Sequence, residues 1–308
     1  MWQALKQELI TGSVKALARC ISLVENEAVG YRDFLSGLPV SSVPIIGITG
    51  PPGAGKSTLT DGLIHAMVHA GKKVAVLCVD PSSPFNLGAV LGDRIRMSQW
   101  YDHPLVYIRS LATRGSMGGL HPKILEITEI CKAAAFDFII VETVGVGQSE
   151  IEITGLADVT VVVLVPEAGD EIQTMKAGLM EIADIFVVNK ADRPDAQLFV
   201  KHLHTMLAPA FHKKNTEIPI LQTIALKRQG LDELWHKINS YLASPVYNEQ
   251  KSRLLAERMY YMIEKERMKD IRKEDLKNAI EPHLRDVNFN VFRFVESYMD
   301  SIRKNPHE

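Results

Sequence analysis

A glycine-rich octapeptide carries the clearest chemistry in the chain. It reads Gly-Pro-Pro-Gly-Ala-Gly-Lys-Ser at residues 50–57 and fits the pattern G-x-x-x-x-G-K-[ST] in full. Glycines let a backbone wrap closely around an anion, with successive amides pointing inward. We expect Lys56 to reach the β- and γ-phosphates of a nucleotide and Ser57 to place its hydroxyl on Mg²⁺. The motif therefore predicts a nucleotide-phosphate site.

A second element, at Glu142, suits a bound metal ion. Glu142 directly follows the apolar run Phe138–Val141 and precedes the segment 143–148, Thr-Val-Gly-Val-Gly-Gln. A carboxylate at the tip of a buried strand beside a phosphate loop holds Mg²⁺ directly or through water. A surface role fits badly, because four apolar residues come before it. Gly145 can offer its amide to the γ-phosphate and move when that phosphate leaves.

Two further carboxylates lie on the same side of the predicted sheet. Asp80 ends the run Val74–Val79, and Asp93 lies in the segment Gly-Asp-Arg at 92–94. Loops beyond the carboxyl ends of parallel strands face the ligand in open α/β sheets. Read alone, each of these two residues suits a turn as well as a metal site.

The segment Asn-Lys-Ala-Asp at residues 189–192 predicts which base is bound. The Asp192 carboxylate can accept hydrogen bonds from the ring N–H and the exocyclic amino group of guanine, whereas adenine has no such donor pair. ATP would leave the buried charge unpaired, which is costly. Asn189 can brace the phosphate loop, and the stem of Lys190 can cover the base. The segment therefore favours GTP over ATP.

A last base contact is expected from a backbone amide after the next strand, at 223–225. The predicted nucleotide-binding residues are Thr49, Gly50, Pro51, Pro52, Gly53, Ala54, Gly55, Lys56, Ser57, Thr58, Gly145, Asn189, Lys190, Asp192, Thr223, Ile224 and Ala225.

The elements that must position these residues follow from the apolar pattern. Short apolar runs alternate with amphipathic stretches, which predicts strands buried on both faces and helical crossovers. The runs are Ile45–Thr49, Val74–Val79, Leu105–Ile108, Phe138–Val141, Val159–Val165, Ile185–Val188 and Ile218–Leu221. The predicted fold is α/β, a doubly wound, mostly parallel sheet of the P-loop NTPase type. We divide the chain into an N-terminal helical segment (1–38), the P-loop domain (39–245) and a C-terminal helical arm (246–308).

Composition sets limits on the partners and the compartment. The net charge is −2, from 35 Lys and Arg against 37 Asp and Glu, so a general attraction to nucleic acid or to an anionic membrane is not expected. The apolar runs are shorter than the ~20 residues of a membrane helix. Three scattered cysteines argue against a disulfide scaffold. We expect a reducing compartment, the cytoplasm or an organelle matrix.

Taken together, the motifs resemble the P-loop GTPases of the MeaB/ArgK type, the chaperones associated with methylmalonyl-CoA mutase. The resemblance covers residues 13–243 and extends well beyond the motifs that many P-loop domains share. The matching segments are 16–19, 23–25, 50–59, 79–83, 92–94, 112–115, 142–150, 167–176 and 189–192.

The resemblance implies a homodimer that binds GTP and Mg²⁺ and hydrolyses GTP slowly. It also implies that the chain gates loading of adenosylcobalamin into methylmalonyl-CoA mutase, or a related cobalamin-dependent mutase, and protects that enzyme. The implied metal ligands are Ser57, Asp80, Asp93 and Glu142, and the implied catalytic residues are Lys56, Asp93 and Glu142. Asp170 and Lys176 are placed in an additional loop that senses the partner.

The chain departs from the family at two places. The loop after the last predicted strand, at 223–225, is the last guanine loop. The family usually has Ser-Ala there, and this chain has Ile224-Ala225. The C-terminal arm, which mediates dimerisation in the family, matches only loosely.

Three other functions remain open. A metal-delivering GTPase would carry cysteine clusters or histidine tracts, and the ten histidines here are scattered, with His202 and His204 closest in sequence. A kinase acting on a transport-associated binding protein would need ATP. An assembly module would keep its nucleotide only as a structural element.

Overall fold

The seven strands predicted from the sequence are all present. The computed structural model describes residues 1–80, 97–113, 120–144, 152–168, 182–214, 218–244, 249–284, 286 and 289–304. The strands are β1 Ile45–Thr49, β2 Val74–Asp80, β3 Val106–Ala112, β4 Phe138–Glu142, β5 Val159–Leu164, β6 Ile185–Asn189 and β7 Ile220–Thr223. Every pair of neighbours is parallel, in the order β3-β2-β4-β1-β5-β6-β7. The predicted fold class is confirmed, with a sheet that is parallel throughout.

The strand order places the carboxyl ends of β1 and β4 side by side at the centre of the sheet. β1 pairs with β4 on one side and with β5 on the other. Ligands of open α/β sheets bind beyond the carboxyl ends of the strands, where the strand order reverses. The residues that follow β1, β4 and β6 are thereby gathered at one edge.

Helices from residues 1–243 cover both faces of this sheet. The helices within the described residues are α1 Trp2–Ile10, α2 Val14–Glu25, α3 Tyr31–Ser36, α4 Lys56–His69, α5 Ile124–Ala133, α6 Ala196–Lys214, α7 Leu231–Ala243, α8 Glu249–Arg267, α9 Lys273–Ile280 and α10 Val291–Lys304. One apolar cluster joins the sheet to α4, α6 and α7, and a second joins it to α1, α2, α3 and α5. Strands buried on both faces explain their near-continuous Val and Ile content.

The N-terminal helices form part of the core of this sheet domain. α2 begins at a Ser13 cap, whose hydroxyl accepts a hydrogen bond from the Ala16 amide at 3.2 Å. Its buried residue Ile21 belongs to the same cluster as Ile127 of α5. At the end of α2, Glu25 forms an ion pair with Arg109 of β3 at 2.5 Å. The segment 1–38 therefore packs on one face of the sheet.

The contacts within the chain define two compact units, Met1–Leu255 and Ala256–Glu308. The predicted boundary at residue 245 lies outside the described residues, and the division into three segments stays a prediction. The second unit is helical where it is described. In the described part of the chain, no helix combines the length and the apolar character needed to cross a membrane.

The packing of α2 predicts a large difference between two substitutions on one helix. Ile21 is fully buried and Val14 is half exposed. Ile21→Ala should lower the free energy of unfolding by about 2–5 kcal/mol, because it leaves a cavity in the core. Val14→Ala should change it by less than ~0.5 kcal/mol. Urea denaturation followed by circular dichroism measures both, and equal effects would contradict the packing described for the N-terminal helices.

Candidate functional site

The phosphate loop joins β1 to α4 and depends on two glycines. Gly50 has a φ of +136° and Gly55 a φ of +89°, a region that residues with a Cβ rarely adopt. A Cβ on Gly50 would lie 2.1 Å from the Val163 carbonyl oxygen, and one on Gly55 would lie 2.4 Å from the Asn189 Nδ2. Gly55 also precedes the first turn of α4. The loop therefore places the amino end of a helix at the predicted phosphate site, where backbone amides favour an anion.

Lys56 lies inside this loop. Its ammonium donates hydrogen bonds to the Gly50 carbonyl at 2.8 Å and to the Pro51 carbonyl at 3.2 Å. The side chain is buried, and a buried cation needs such acceptors. A positive charge is thus held within the loop, and its binding of phosphate stays a prediction.

Glu142 accepts hydrogen bonds from two hydroxyls of α4. Ser57 Oγ donates to its Oε1 and Thr60 Oγ1 donates to its Oε2, both at 2.7 Å. All three residues are buried. The structure brings together Ser57 and Glu142, which the sequence predicted, and it adds Thr60, which sequence reasoning missed. The available signal was the spacing, since residues three apart share one face of a helix.

Asp80 ends β2, the neighbour of β4. Cys78 is in register with Glu142, so Asp80 lies two residues further toward the carboxyl edge of the sheet. It is buried, and its backbone carbonyl accepts a hydrogen bond from the Thr113 amide at 3.0 Å. Thr49, the last residue of β1, accepts a hydrogen bond from the Thr143 hydroxyl at 2.9 Å. Polar side chains thus follow three adjacent strands at one edge.

The donor set at this edge fits Mg²⁺. The Ser57 hydroxyl and the Glu142 and Asp80 carboxylates are hard oxygen donors, which Mg²⁺ prefers. Among the described residues, no group of three or more His, Cys, Asp or Glu is arranged to hold a metal ion. Mg²⁺ commonly binds through one or two carboxylates, substrate phosphates and water, so two carboxylates and a hydroxyl are sufficient.

Asn189 connects the phosphate loop to the predicted base site. Its Nδ2 donates to the Ala54 carbonyl at 2.9 Å. Its Oδ1 accepts from the Thr223 hydroxyl at 3.1 Å and from the Ala225 amide at 3.0 Å. The side chain is buried. One side chain thus holds together the loop after β1, the end of β6 and the end of β7, which is the bracing role expected of it.

Lys190 and Asp192, which follow Asn189 in the predicted base-recognition segment (189–192), lie nearer the surface than Asn189. Lys190 has a φ of +56°, and its ammonium donates to the Gly53 carbonyl at 2.8 Å. The Asp192 side chain is 42% exposed, and its Oδ2 forms an ion pair with Lys227 at 3.1 Å. Asp192 is therefore not the buried, unpaired charge that was assumed from the sequence. Sequence reasoning did not single out Lys227. Its only signal was a basic residue in the last guanine loop, four residues after Thr223.

The amides of that last loop already have acceptors within the chain. The Ile224 amide donates to the Gln229 carbonyl at 3.1 Å, and the Ala225 amide donates to Asn189. The predicted amide contact to the base therefore stays a prediction. Asp93, Gly145, Asp170 and Lys176 lie outside the described residues.

Replacing Asn189 should weaken both the fold and nucleotide binding. Asn189→Ala removes three hydrogen bonds and leaves buried partners unsatisfied, at about 1–3 kcal/mol for each group. We expect GTP affinity to fall at least about tenfold, which corresponds to 1.4 kcal/mol. Titration with a fluorescent guanine nucleotide measures this loss. Asn239→Ala is the matched control, because Asn239 donates one hydrogen bond to the Trp235 carbonyl within α7; equal losses in the two variants would rule out the bridging role.

Comparisons with known proteins identify relatives that are named as GTPases. A protein from Pyrococcus horikoshii that is named as a GTPase is 47% identical over 76% of this chain and 76% of its own length. The GTPase ArgK of Escherichia coli is 35% identical over 75% of this chain and 73% of its own. A fused isobutyryl-CoA mutase of Geobacillus kaustophilus is 38% identical over 71% of this chain, which corresponds to 22% of that protein.

A solved structure and a family model extend the match across the chain. The crystal structure of a LAO/AO transport system kinase has a TM-score of 0.66 and 25% identity, covering 100% of this chain and 93% of the other. The family described as methylmalonyl-CoA mutase-associated GTPase MeaB matches residues 17–279. The chain therefore belongs to the MeaB family and is a P-loop GTPase.

Proposed function

We propose that this GTPase acts on a cobalamin-dependent acyl-CoA mutase, gating the loading of adenosylcobalamin and protecting the mutase from inactivation. The observation that carries the proposal is the fused relative, in which a segment similar to this chain belongs to one polypeptide named as a mutase. Covalent joining keeps two partners at a high effective concentration. A separate GTPase chain would meet the same partner by association. Methylmalonyl-CoA mutase is the first candidate, because the matching family is named for it.

Hydrolysis of GTP at the phosphate site would drive the proposed gating. The loop amides and the Lys56 ammonium would bind the β- and γ-phosphates, and the buried side chains Ser57, Asp80 and Glu142 would hold Mg²⁺. When bound, Mg²⁺ neutralises negative charge that develops on the phosphate oxygens. Fixed charges and dipoles of this kind lower the barrier because they need no rearrangement during the reaction. Asp93 and Gly145 belong to the same proposal on sequence grounds.

The base site makes the reaction selective for GTP. The exposed Asp192 carboxylate can accept the two donors of guanine, with Lys227 positioned against one of its oxygens. A site built around hydrogen bonds disfavours an analogue that lacks the matching donors, because the polar groups of the site then lose their partners. Asp170 and Lys176 are proposed to sense the mutase, on the resemblance alone.

Two alternative functions are considered. The structural relative named as a transport system kinase keeps ATP-dependent phosphate transfer as a second candidate. A metal-delivering role has less support, since His202 and His204 are both exposed on α6 and lie two residues apart, where helical side chains do not face each other.

We also propose that the chain forms a homodimer through its C-terminal helices. Val291, Val295 and Met299 are spaced four residues apart on α10 and are 44–54% exposed. Residues at this spacing share one face of a helix, and an apolar face of this kind gains free energy when a partner covers it. The homodimer implied by the resemblance makes a second copy the first candidate for that partner.

Hydrolysis by the purified chain, with and without methylmalonyl-CoA mutase, tests the proposed function. With Mg²⁺ present, GTP should be hydrolysed at least about 100-fold faster than ATP, because only guanine satisfies Asp192. The mutase should raise GTP turnover severalfold, and Lys56→Ala should abolish turnover. The matched control is Lys72→Ala, since Lys72 pairs with Asp137 before β2 and β4, at the opposite edge of the sheet.

Each negative result removes a different part of the proposal. GTP turnover that is indifferent to the mutase would leave the GTPase and reject that partner. Transfer of phosphate from radiolabelled ATP to a protein would favour the kinase instead.

Charge placed on the apolar face of α10 should separate the two copies. Val295→Glu in the full chain should raise the dimer dissociation constant by at least about tenfold, because burying an unpaired carboxylate is costly. Sedimentation velocity measures the shift from dimer to monomer. Ser297→Glu, at an exposed polar position of the same helix, should leave the dimer intact. A chain that is monomeric before any substitution would reject the proposed homodimer.

A further inference from the structure

The carboxylate of Glu142 is held by a hydroxyl on each of its two oxygens. Ser57 donates to Oε1 and Thr60 donates to Oε2, each over 2.7 Å. Thr60 is fully buried and Glu142 is 2% exposed. The phosphate-loop motif ends at Ser57, so Thr60 lies outside the pattern that defines it. Thr60 is therefore a contact to the predicted metal carboxylate that the motif does not require.

The Thr60 hydroxyl has two acceptors within reach and only one proton. Its Oγ1 lies 3.0 Å from the Lys56 carbonyl and 2.7 Å from Glu142 Oε2. A hydrogen bond to a charged acceptor is shorter and about twice as strong as one between neutral groups. The proton therefore goes to the carboxylate. A helical threonine can always donate to the carbonyl of the preceding turn. Thr60 therefore does not need Glu142 as an acceptor, and the main effect of the bond is to hold the Glu142 carboxylate.

Ser57 and Thr60 differ in what else they are expected to do. In the proposed magnesium site, the Ser57 hydroxyl is itself a ligand of Mg²⁺. Thr60 lies one turn further into α4 and has no such second role. Its bond to Oε2 can therefore keep Glu142 oriented while the Ser57 hydroxyl binds Mg²⁺.

We propose that Thr60 is a positioning residue that orients Glu142 toward Mg²⁺ and so sets the magnesium affinity of the nucleotide-bound protein. This inference rests on the magnesium site of the proposed function. Groups that hydrogen-bond to metal ligands orient them, and their loss typically lowers metal affinity by about 10- to 100-fold. Thr60 would act on Mg²⁺ through Glu142, without touching the nucleotide.

Isosteric replacement separates this role from simple packing. Thr60→Val keeps the shape of the side chain and removes the hydroxyl, whereas Thr60→Ser keeps the hydroxyl and removes the methyl group. Magnesium binding to the full-length, GDP-loaded protein is measured by calorimetric titration. Thr60→Val should raise the Mg²⁺ dissociation constant by about 10- to 100-fold, and Thr60→Ser should restore it to near the wild-type value. GDP affinity in the presence of EDTA should be unchanged in both.

Thr128→Val is the matched control. Thr128 is also a fully buried helical threonine, but its hydroxyl lies against the Ile124 and Leu125 carbonyls of α5 and not against a carboxylate. This substitution should leave magnesium binding unchanged. If Thr128→Val and Thr60→Val weakened magnesium binding equally, the effect would reflect lost stability and the inference would be overturned.

Two further outcomes distinguish the role of Thr60 from the existence of the magnesium site. Wild-type affinity for Mg²⁺ in Thr60→Val would overturn the role of Thr60 and leave the magnesium site standing. A GDP-loaded wild-type protein that binds no Mg²⁺ would overturn the magnesium site itself. If Thr60→Val does not fold, Thr60→Cys replaces it. The thiol is a weak donor, so an intermediate loss is expected, and unchanged affinity would overturn the inference.

Discussion

The hydrogen bond from Asn189 to the Ala54 carbonyl joins the two halves of the site. The phosphate loop follows β1 and the base segment follows β6, and two separate strands fix their positions. Because the same Asn189 also accepts hydrogen bonds from Thr223 and Ala225, the last guanine loop is held in the same network. A nucleotide would therefore meet loops whose spacing is already set, which lowers the entropic cost of binding.

Much of the fold and part of the site could be predicted from the sequence, for a physical reason. Parallel strands buried on both faces need continuous apolar runs, and those runs, such as Ile45–Thr49 and Val159–Leu164, stand out from the polar stretches between them. The phosphate loop can also be recognised in the sequence, because only glycine tolerates the backbone conformation and the close contacts at Gly50 and Gly55. Ser57 and Glu142 could be expected near each other, because both follow the carboxyl ends of predicted parallel strands, which meet at one edge of the sheet.

The remaining contacts depend on side-chain directions that no short pattern contains. Thr60 approaches Glu142 only because α4 crosses beside β4, and the ion pair of Lys227 with Asp192 depends on how the loop after β7 turns. The packing of α2 against α5 was invisible for a similar reason, since an amphipathic helix reveals that it has an apolar face but not which surface covers it. Tertiary geometry decides these contacts.

The position of α2 also has a consequence for synthesis of the chain. Its apolar residues Leu17 and Ile21 share a cluster with Ile124 and Ile127 of α5, which leave the ribosome roughly 100 residues later, or about 5–20 s at ordinary translation rates. During that interval the side of α2 that packs on α5 has no native cover. Nascent chains of this protein therefore pass through a stage in which Leu17 and Ile21 lack part of their native packing.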